Sequence, residues 1–255
     1  MEDAHVDVEQ YLEWIGFAGT PAVDLATLEE LQRRHMTAVP FENLSITQGI
    51  HLTTDVQSSL DKIVGAGRGG WCFELNGAFA ALLDAIGFRV TMLGAAVLLD
   101  GPSTVLEHLT LEVMVDEPHL VDVGFGDGFI RPIALNRTGP QDGGNGTYEL
   151  FASPQGTTLT KHVDDAPAPQ YRFKRVAHTL DEFTAVSDSM QVDPERHWHR
   201  KPFATRLLDG GPDRVTLTHD TLKVTRNDLT EELPVAAEEW DAQLHRWFGY
   251  HYQVR

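Results

Sequence analysis

The sequence predicts an α+β fold in which helices and strands are segregated along the chain. Three observations predict it. Apolar residues recur at helical spacing through the first third. The middle is a series of short β-prone runs separated by turn signals. The last part pairs two strand-like runs before a closing helix. With 255 residues, 42% of them hydrophobic, the chain can bury a sizeable core, in one large domain or two to three small ones.

Val8, Tyr11, Leu12 and Ile15 share one helical face that ends near Gly16. Leu25, Leu28 and Leu31 repeat that spacing over residues 24–32, with Asp24 placed to cap the helix. Pro40-Phe41-Glu42-Asn43-Leu44 breaks the pattern, and residues 55–64 resume it briefly. Residues 72–86 form a stronger helix through Phe73, Leu75, Phe79, Leu82, Leu83 and Ile86, stopped by Gly87. Strands are then predicted at 88–99, 108–115, 120–125, 148–152, 157–162 and 171–176, with a turn at Asp116-Glu117-Pro118. Residues 136–147, with four glycines and a proline, read as an exposed, mobile loop. Strands at 214–218 and 221–225 and a helix at 236–248 complete the chain.

Charge and composition exclude several classes. Lys and Arg number 20 against 38 Asp and Glu, a net charge of -18, which argues against a general nucleic-acid binder. An anionic ligand would need local positive ground, from backbone amides or a few placed arginines. The opening MEDAHVDVEQYLEW lacks the basic and apolar regions of a secretion signal. No run approaches the roughly 18 apolar residues of a membrane helix, so a cytoplasmic protein without a membrane partner is expected. The single cysteine excludes an intrachain disulfide and multi-cysteine zinc frameworks, and suits a reducing compartment. No HExxH-type metal motif occurs.

That cysteine, Cys72, follows Arg68-Gly69-Gly70-Trp71. The glycine pair permits a tight turn into the helix and places Cys72 on its first turn. Free N–H groups and the positive dipole end favour a thiolate there. A buried, inert cysteine is the other reading. A nucleophilic thiol needs a base, and His108, opening an apolar strand, is the candidate; a rim histidine would look the same. Asp122 lies within Leu120-Val121-Asp122-Val123-Gly124-Phe125, where an unpaired carboxylate is costly. It competes as the orienting acid with Glu107 and Glu112. A regular hairpin with a three-residue turn sets Asp122 opposite Glu112, roughly 13 Å along the strand from His108, so ideal pairing leaves the two apart. Gly124, Gly126 and Gly128 can expose backbone amides to a phosphate or simply make a turn.

Taken together, Tyr11–Gly16, Ala38–Leu44, the RGGWCFELN stretch at 68–76 and the VDVGFG stretch at 121–126 resemble the arylamine N-acetyltransferase family in order and spacing. The resemblance covers residues 8 to about 132 and is diffuse beyond 140. It implies a cysteine-protease-like core in three parts: a helical bundle at 1–87, a β-barrel at 88–185 and an α/β lid at 186–255. It implies a Cys72-His108-Asp122 triad and acetyl-CoA as co-substrate, with its pyrophosphate near Gly124, Gly126 and Gly128. No metal is implied. Phe41, Phe125 and Phe203 would line the acceptor pocket, and Arg68 and Glu74 would form a supporting ion pair. The implied activity is ping-pong acetyl transfer to arylamines and hydrazines through an acetyl-cysteine. Alternatives are an amide synthase or another thiol acyltransferase or hydrolase using the same residues, and a nucleotide-binding module with an inert cysteine. Two positions depart from the family: Trp14 stands where Arg is usual, and the basic segment 197–203 replaces a Ser-x-Phe-like segment. That segment either meets CoA phosphates or is a solvated loop.

Overall fold

The computed structural model describes residues 5–164, 166–193, 196, 198 and 201–252; His197, His199 and Arg200 of the basic segment lie outside them. Helices α1 (Val8–Trp14) and α2 (Leu25–Ala38) both start on an aspartate cap. Asp7 accepts the Gln10 N–H at 3.0 Å and Asp24 that of Thr27 at 2.8 Å, each satisfying a donor the first turn leaves free. Helix α2 runs past the predicted 24–32 because its buried face continues through His35 and Met36. The break at Pro40 holds a two-residue strand, β1 (Phe41–Glu42), then the short helix α3 (Leu44–Thr47). Helix α4 (Val56–Leu60) continues into a π-helical turn, Asp61–Gly65. Helix α5 (Cys72–Ile86) has its predicted bounds and ends on Gly87 at φ 111°. It is apolar nearly all round because it is the central helix, sharing one core cluster with Tyr11, Leu28 and Leu31 of the helices and Leu111 and Val121 of the strands.

Eight antiparallel strands form a nearly closed barrel: β2 (Arg89–Val97), β3 (His108–Met114), β4 (Pro118–Val121), β5 (Ile133–Ala134), β6 (Gln141–Asp142), β7 (Thr147–Ser153), β8 (Gly156–Val163) and β9 (Ala166–His178), in the order β5-β4-β3-β2-β9-β8-β7-β6. Leu93, Leu120, Phe129, Tyr148 and Phe173 fill it. The stretch 136–147 departs from the expected mobile loop. It contains β6, and the buried Gln141 amide both accepts the Ala134 N–H and donates to the Ala134 carbonyl at 3.0 Å. That side chain acts as a rung of ladder between the edge strands β5 and β6.

The second sheet runs β1-β10-β11-β12-β13, with β10 (Ala204–Leu207), β11 (Arg214–Leu217), β12 (Thr221–Arg226) and β13 (Leu229–Pro234). Helix α6 (Thr184–Val192) precedes it, and α7 (Trp240–Phe248) covers it through Trp240, Leu244 and Phe248. Strand β1 joins this sheet to the helical part: Phe41 pairs with Thr205 on one side and bridges to Gly70 on the other. Among the described residues no helix is long and apolar enough to cross a membrane.

Candidate active site

The glycine pair before Cys72 serves a different purpose from the expected turn. Neither Gly69 nor Gly70 has a positive φ. A Cβ on Gly69 would overlap the Pro40 carbonyl, and one on Gly70 would come within 2.9 Å of Glu74 Oε2. The missing side chains let β1 lie against this loop, with Glu42 N–H donating to Gly70 O at 2.8 Å and Gly70 N–H to Pro40 O at 3.1 Å. Glu74 takes the Trp71 N–H at 3.2 Å, as an acid three residues into a helix can. The start of α5 is thereby clamped, and Cys72 sits in its first turn, 3% exposed.

His108, at the start of β3, meets Asp122 through Nε2 to Oδ2 at 2.7 Å, with both side chains buried. The β3–β4 register explains how. Leu120, not Asp122, lies opposite Glu112, and Val121 lies opposite Leu111. The actual pairing is shifted by two residues from the expected one, which keeps Asp122 on the same face and brings it toward His108. Strand β4 ends at Val121, so Asp122 belongs to the loop that follows rather than to the predicted strand 120–125. Asn76 then secures it. Its Nδ2 donates to Asp122 Oδ1 at 2.9 Å and to Leu109 O at 2.6 Å, and its Oδ1 accepts the Val123 N–H at 3.0 Å. Gly124 N–H adds a further bond to Asp122 Oδ1 at 2.9 Å.

The charges follow from these contacts. Burial opposes a charged ring at His108, but the Asp122 carboxylate and its hydrogen bond outweigh it, with Cys72 adding a smaller share, and the pKa rises to about 10. Burial alone would raise Asp122; His108, Asn76 and the Gly124 N–H instead hold it below the ordinary carboxylate range. With Nε2 committed to Asp122, Nδ1 is the ring nitrogen left for Cys72. Phe125 and Tyr171 enclose the imidazole, each with its ring centroid 5.1 Å away. Phe125 also lines a cleft of about 580 Å³ with Phe41, Phe203, Gly126, Asp127 and Arg214. This arrangement is a thiol beside a strong base, with the base oriented by a secured carboxylate.

Comparison with known proteins decides the family. The family described as N-acetyltransferase matches residues 24–254. The chain is 33% identical to the arylamine N-acetyltransferase pineal gland isozyme NAT-3 of Gallus gallus, over 96% of this chain and 94% of that one. It is 36% identical to arylamine N-acetyltransferase 1 of Rattus norvegicus over the same shares. The chain belongs to the arylamine N-acetyltransferase family. The structure of the Mycobacterium marinum arylamine N-acetyltransferase in complex with CoA superposes with a TM-score of 0.88, at 28% identity, covering 95% of this chain and 92% of that one.

For an arylamine N-acetyltransferase, the placement of the remaining candidates is informative. Gly124 packs on α5: a Cβ there would sit 2.7 Å from Asn76 Nδ2 and 2.8 Å from Cys72 Cα. Gly126 has φ +83° and lies under the Phe41 ring, and Gly128 lies against Phe125. Each glycine of the loop thus has a packing reason to lack a side chain, and Gly126 also reaches the cleft. Phe41 and Phe203 are neighbours, with centroids 5.6 Å apart. The expected Arg68–Glu74 pair is replaced by a crossed arrangement: Lys62 binds both Glu74 oxygens at 2.9 Å, and Arg68 meets Glu42 at 3.5 Å. Lys62 lies in the Asp61–Gly65 turn ahead of the motif, where spacing gave no reason to pair it. Asn76 was given no role from the sequence; the signal that could have found it is its place four residues after Cys72, on the same helical face. Asn43 donates to Trp198 O and Lys201 O, anchoring the described part of the segment carrying Phe203.

Proposed function

We propose that this protein transfers the acetyl group of acetyl-CoA to the amino group of arylamines and hydrazines through an acetyl-Cys72 intermediate. The observation that carries the reading is His108, hydrogen-bonded to Asp122 through one ring nitrogen while its other nitrogen is left to Cys72. In this reading residues 1–87 carry the nucleophile, 88–185 the base and its acid, and 186–255 cover the cleft. The family membership and the CoA complex of the M. marinum relative support acetyl-CoA as donor. The cleft volume falls within the range of small-molecule sites.

His108 holds the Cys72 proton at rest, and the Cys72 thiolate attacks the thioester carbon. The carbonyl π pair moves to oxygen, where the N–H of Cys72 at the start of α5 is placed to stabilise it. Collapse breaks the carbon–sulfur bond to CoA, and His108 returns the proton to the leaving sulfur. The amine then attacks acetyl-Cys72, His108 accepts its proton, and the second collapse frees Cys72 as the amide departs. Asp122 fixes the ring tautomer and stabilises the imidazolium in both halves. Because Cys72 is buried and outside the cleft lining, substrates reach sulfur past Phe125, whose ring lines the cleft and adjoins His108.

Cys72→Ala tests the assignment. Alanine suits a first helical turn, so the fold should persist while CoA release from acetyl-CoA and the acetyl adduct seen by intact-mass spectrometry both disappear. Substantial residual turnover would remove Cys72 from the nucleophile's role. Release of acetate without amine acetylation would make the wild type a hydrolase.

A further inference from the structure

Arg214 takes no part in the chemistry above, yet it stands in the wall of the same cleft. Its side chain is only 13% exposed. Nη1 donates to Thr205 Oγ1 at 3.2 Å and Nε lies 3.4 Å from Asp127 Oδ1, while Nη2 is buried with no hydrogen-bond partner among the described residues. A guanidinium removed from water with one arm unmatched is costly, and such a cost persists where something else completes the pairing.

Asp127 is an incomplete partner. Its side chain is 68% exposed, it is shared with Lys161 at 3.2 Å, and its distance to Arg214 exceeds the roughly 2.7–2.9 Å of a good charge-assisted bond. The rest of this end of the cleft is polar: Thr205, Thr216 and Thr225 bring hydroxyls, Lys223 an amine that meets Glu232 at 3.4 Å, and Asp213 and Asp228 carboxylates that leave Arg214 as the buried cation of the lining. The other end is apolar and leads through Phe125 to His108. In a protein of net charge -18 an approaching anion is disfavoured at long range, so a buried cation at this spot selects for one that enters the cleft.

We propose that Arg214 is the oxyanion-holding residue of this cleft: it receives a phosphate or carboxylate of a substrate whose reacting end lies by Phe125, displacing Asp127. The forked donors of a guanidinium suit either oxyanion. The proposal rests on the acetyl-transfer reading only for which substrates enter: the phosphates would come from acetyl-CoA, the carboxylate from an acidic arylamine.

The test is equilibrium binding of CoA, pantetheine and inorganic pyrophosphate to the full chain, with KM for 4-aminobenzoate and for its methyl ester measured alongside. Arg214→Gln is expected to weaken CoA and pyrophosphate by about 10-fold or more and to leave pantetheine unchanged. If the carboxylate is the oxyanion, the same variant raises KM for 4-aminobenzoate alone. Equal effects on the charged and uncharged member of both pairs, or no effect on any, overturn the proposal. Should Arg214→Gln not fold, Asp127→Asn carries the test, because Asp127 is exposed. Tightening of pyrophosphate or of 4-aminobenzoate by about 2- to 5-fold supports the counterion role, and unchanged or weaker binding of both overturns it. Acetylation of wild-type Cys72 is read separately. Its failure would sink the acetyl-transfer reading while an Arg214-dependent affinity for pyrophosphate stood.

Discussion

Two of the buried histidines, His35 and His108, titrate in opposite directions. His35, on α2 in the helical core, is fully buried and its pKa falls to about 3; His108, at the start of β3, is 3% exposed and rises to about 10. Their aromatic surroundings are alike. His35 lies 6.0 Å from the Tyr11 ring and 5.1 Å from that of Phe79, and His108 lies 5.1 Å from Phe125 and from Tyr171. Burial disfavours the charged ring in both. The difference is Asp122: neither nitrogen of His35 has a hydrogen-bond partner among the described residues. A carboxylate held in place, rather than enclosure, turns a silent core imidazole into a base.

The largest expected effect comes from erasing that difference. Asp122→Asn keeps the shape but removes the charge, so His108 should behave like His35. Its pKa should drop below the ordinary value of about 6.5, read by NMR titration of the ring, and acetyl transfer should fall about 10³- to 10⁴-fold. A near-normal rate would mean that another acid, such as Glu107, orients the ring. Asn76→Ala is the milder version, because it leaves the carboxylate charged but loosens it. Turnover should fall about 10- to 100-fold, with a stability loss of about 1–3 kcal/mol from the unmatched Leu109 carbonyl and Val123 N–H. Urea unfolding and steady-state rates on the same preparation check both. An unchanged rate would show that Gly124 N–H alone secures Asp122.

The comparison also marks what the sequence could show. Helical spacing located α1, α2 and α5, and the Gly87 stop fell where α5 ends, since a single buried face and a left-handed cap are local properties. Cys72 stood out as the single cysteine behind a glycine pair at a helix start, and His108 and Asp122 as polar groups in apolar strands. Their meeting was not legible, because it depends on a register shift of two residues between β3 and β4 that periodicity does not encode. Nor was the role of Gly69 and Gly70, which answers to Pro40 and Glu74 rather than to a turn. The short strands β5, β6 and β10 escaped for a related reason. A strand of two to four residues carries too little pattern, and Gln141 closes the barrel with a side chain rather than with backbone. The crossed Lys62–Glu74 and Arg68–Glu42 pairs bring together side chains from three separate stretches of chain, and no local signal assigns such partners.

The two histidines should also divide the pH dependence of stability. His108 has a raised folded-state pKa, so its contribution is complete below about pH 6.5 and is lost as pH rises toward about 10. Asp122→Asn should abolish that alkaline loss. His35 has a depressed folded-state pKa, so below about pH 6.5 the unfolded chain binds a proton that the folded chain refuses. Stability therefore falls with pH through that window, by at most about 1.4 kcal/mol per unit for this one group.

His35→Leu isolates the acid branch and is the smallest effect expected. Leucine replaces two unmatched ring nitrogens with apolar branches, so stability at pH 7.5 should be unchanged or raised by up to about 1 kcal/mol. At pH 5 the gain should be larger, because the variant has no imidazole to charge on unfolding, whereas carboxylates titrate alike in both proteins and cancel in the difference. Acetyl transfer should stay within about twofold, since His35 touches nothing in the site. Urea midpoints at the two pH values decide it. A variant destabilised equally at both would show that the ring's packing between Tyr11 and Phe79, and not its protonation, is what His35 contributes.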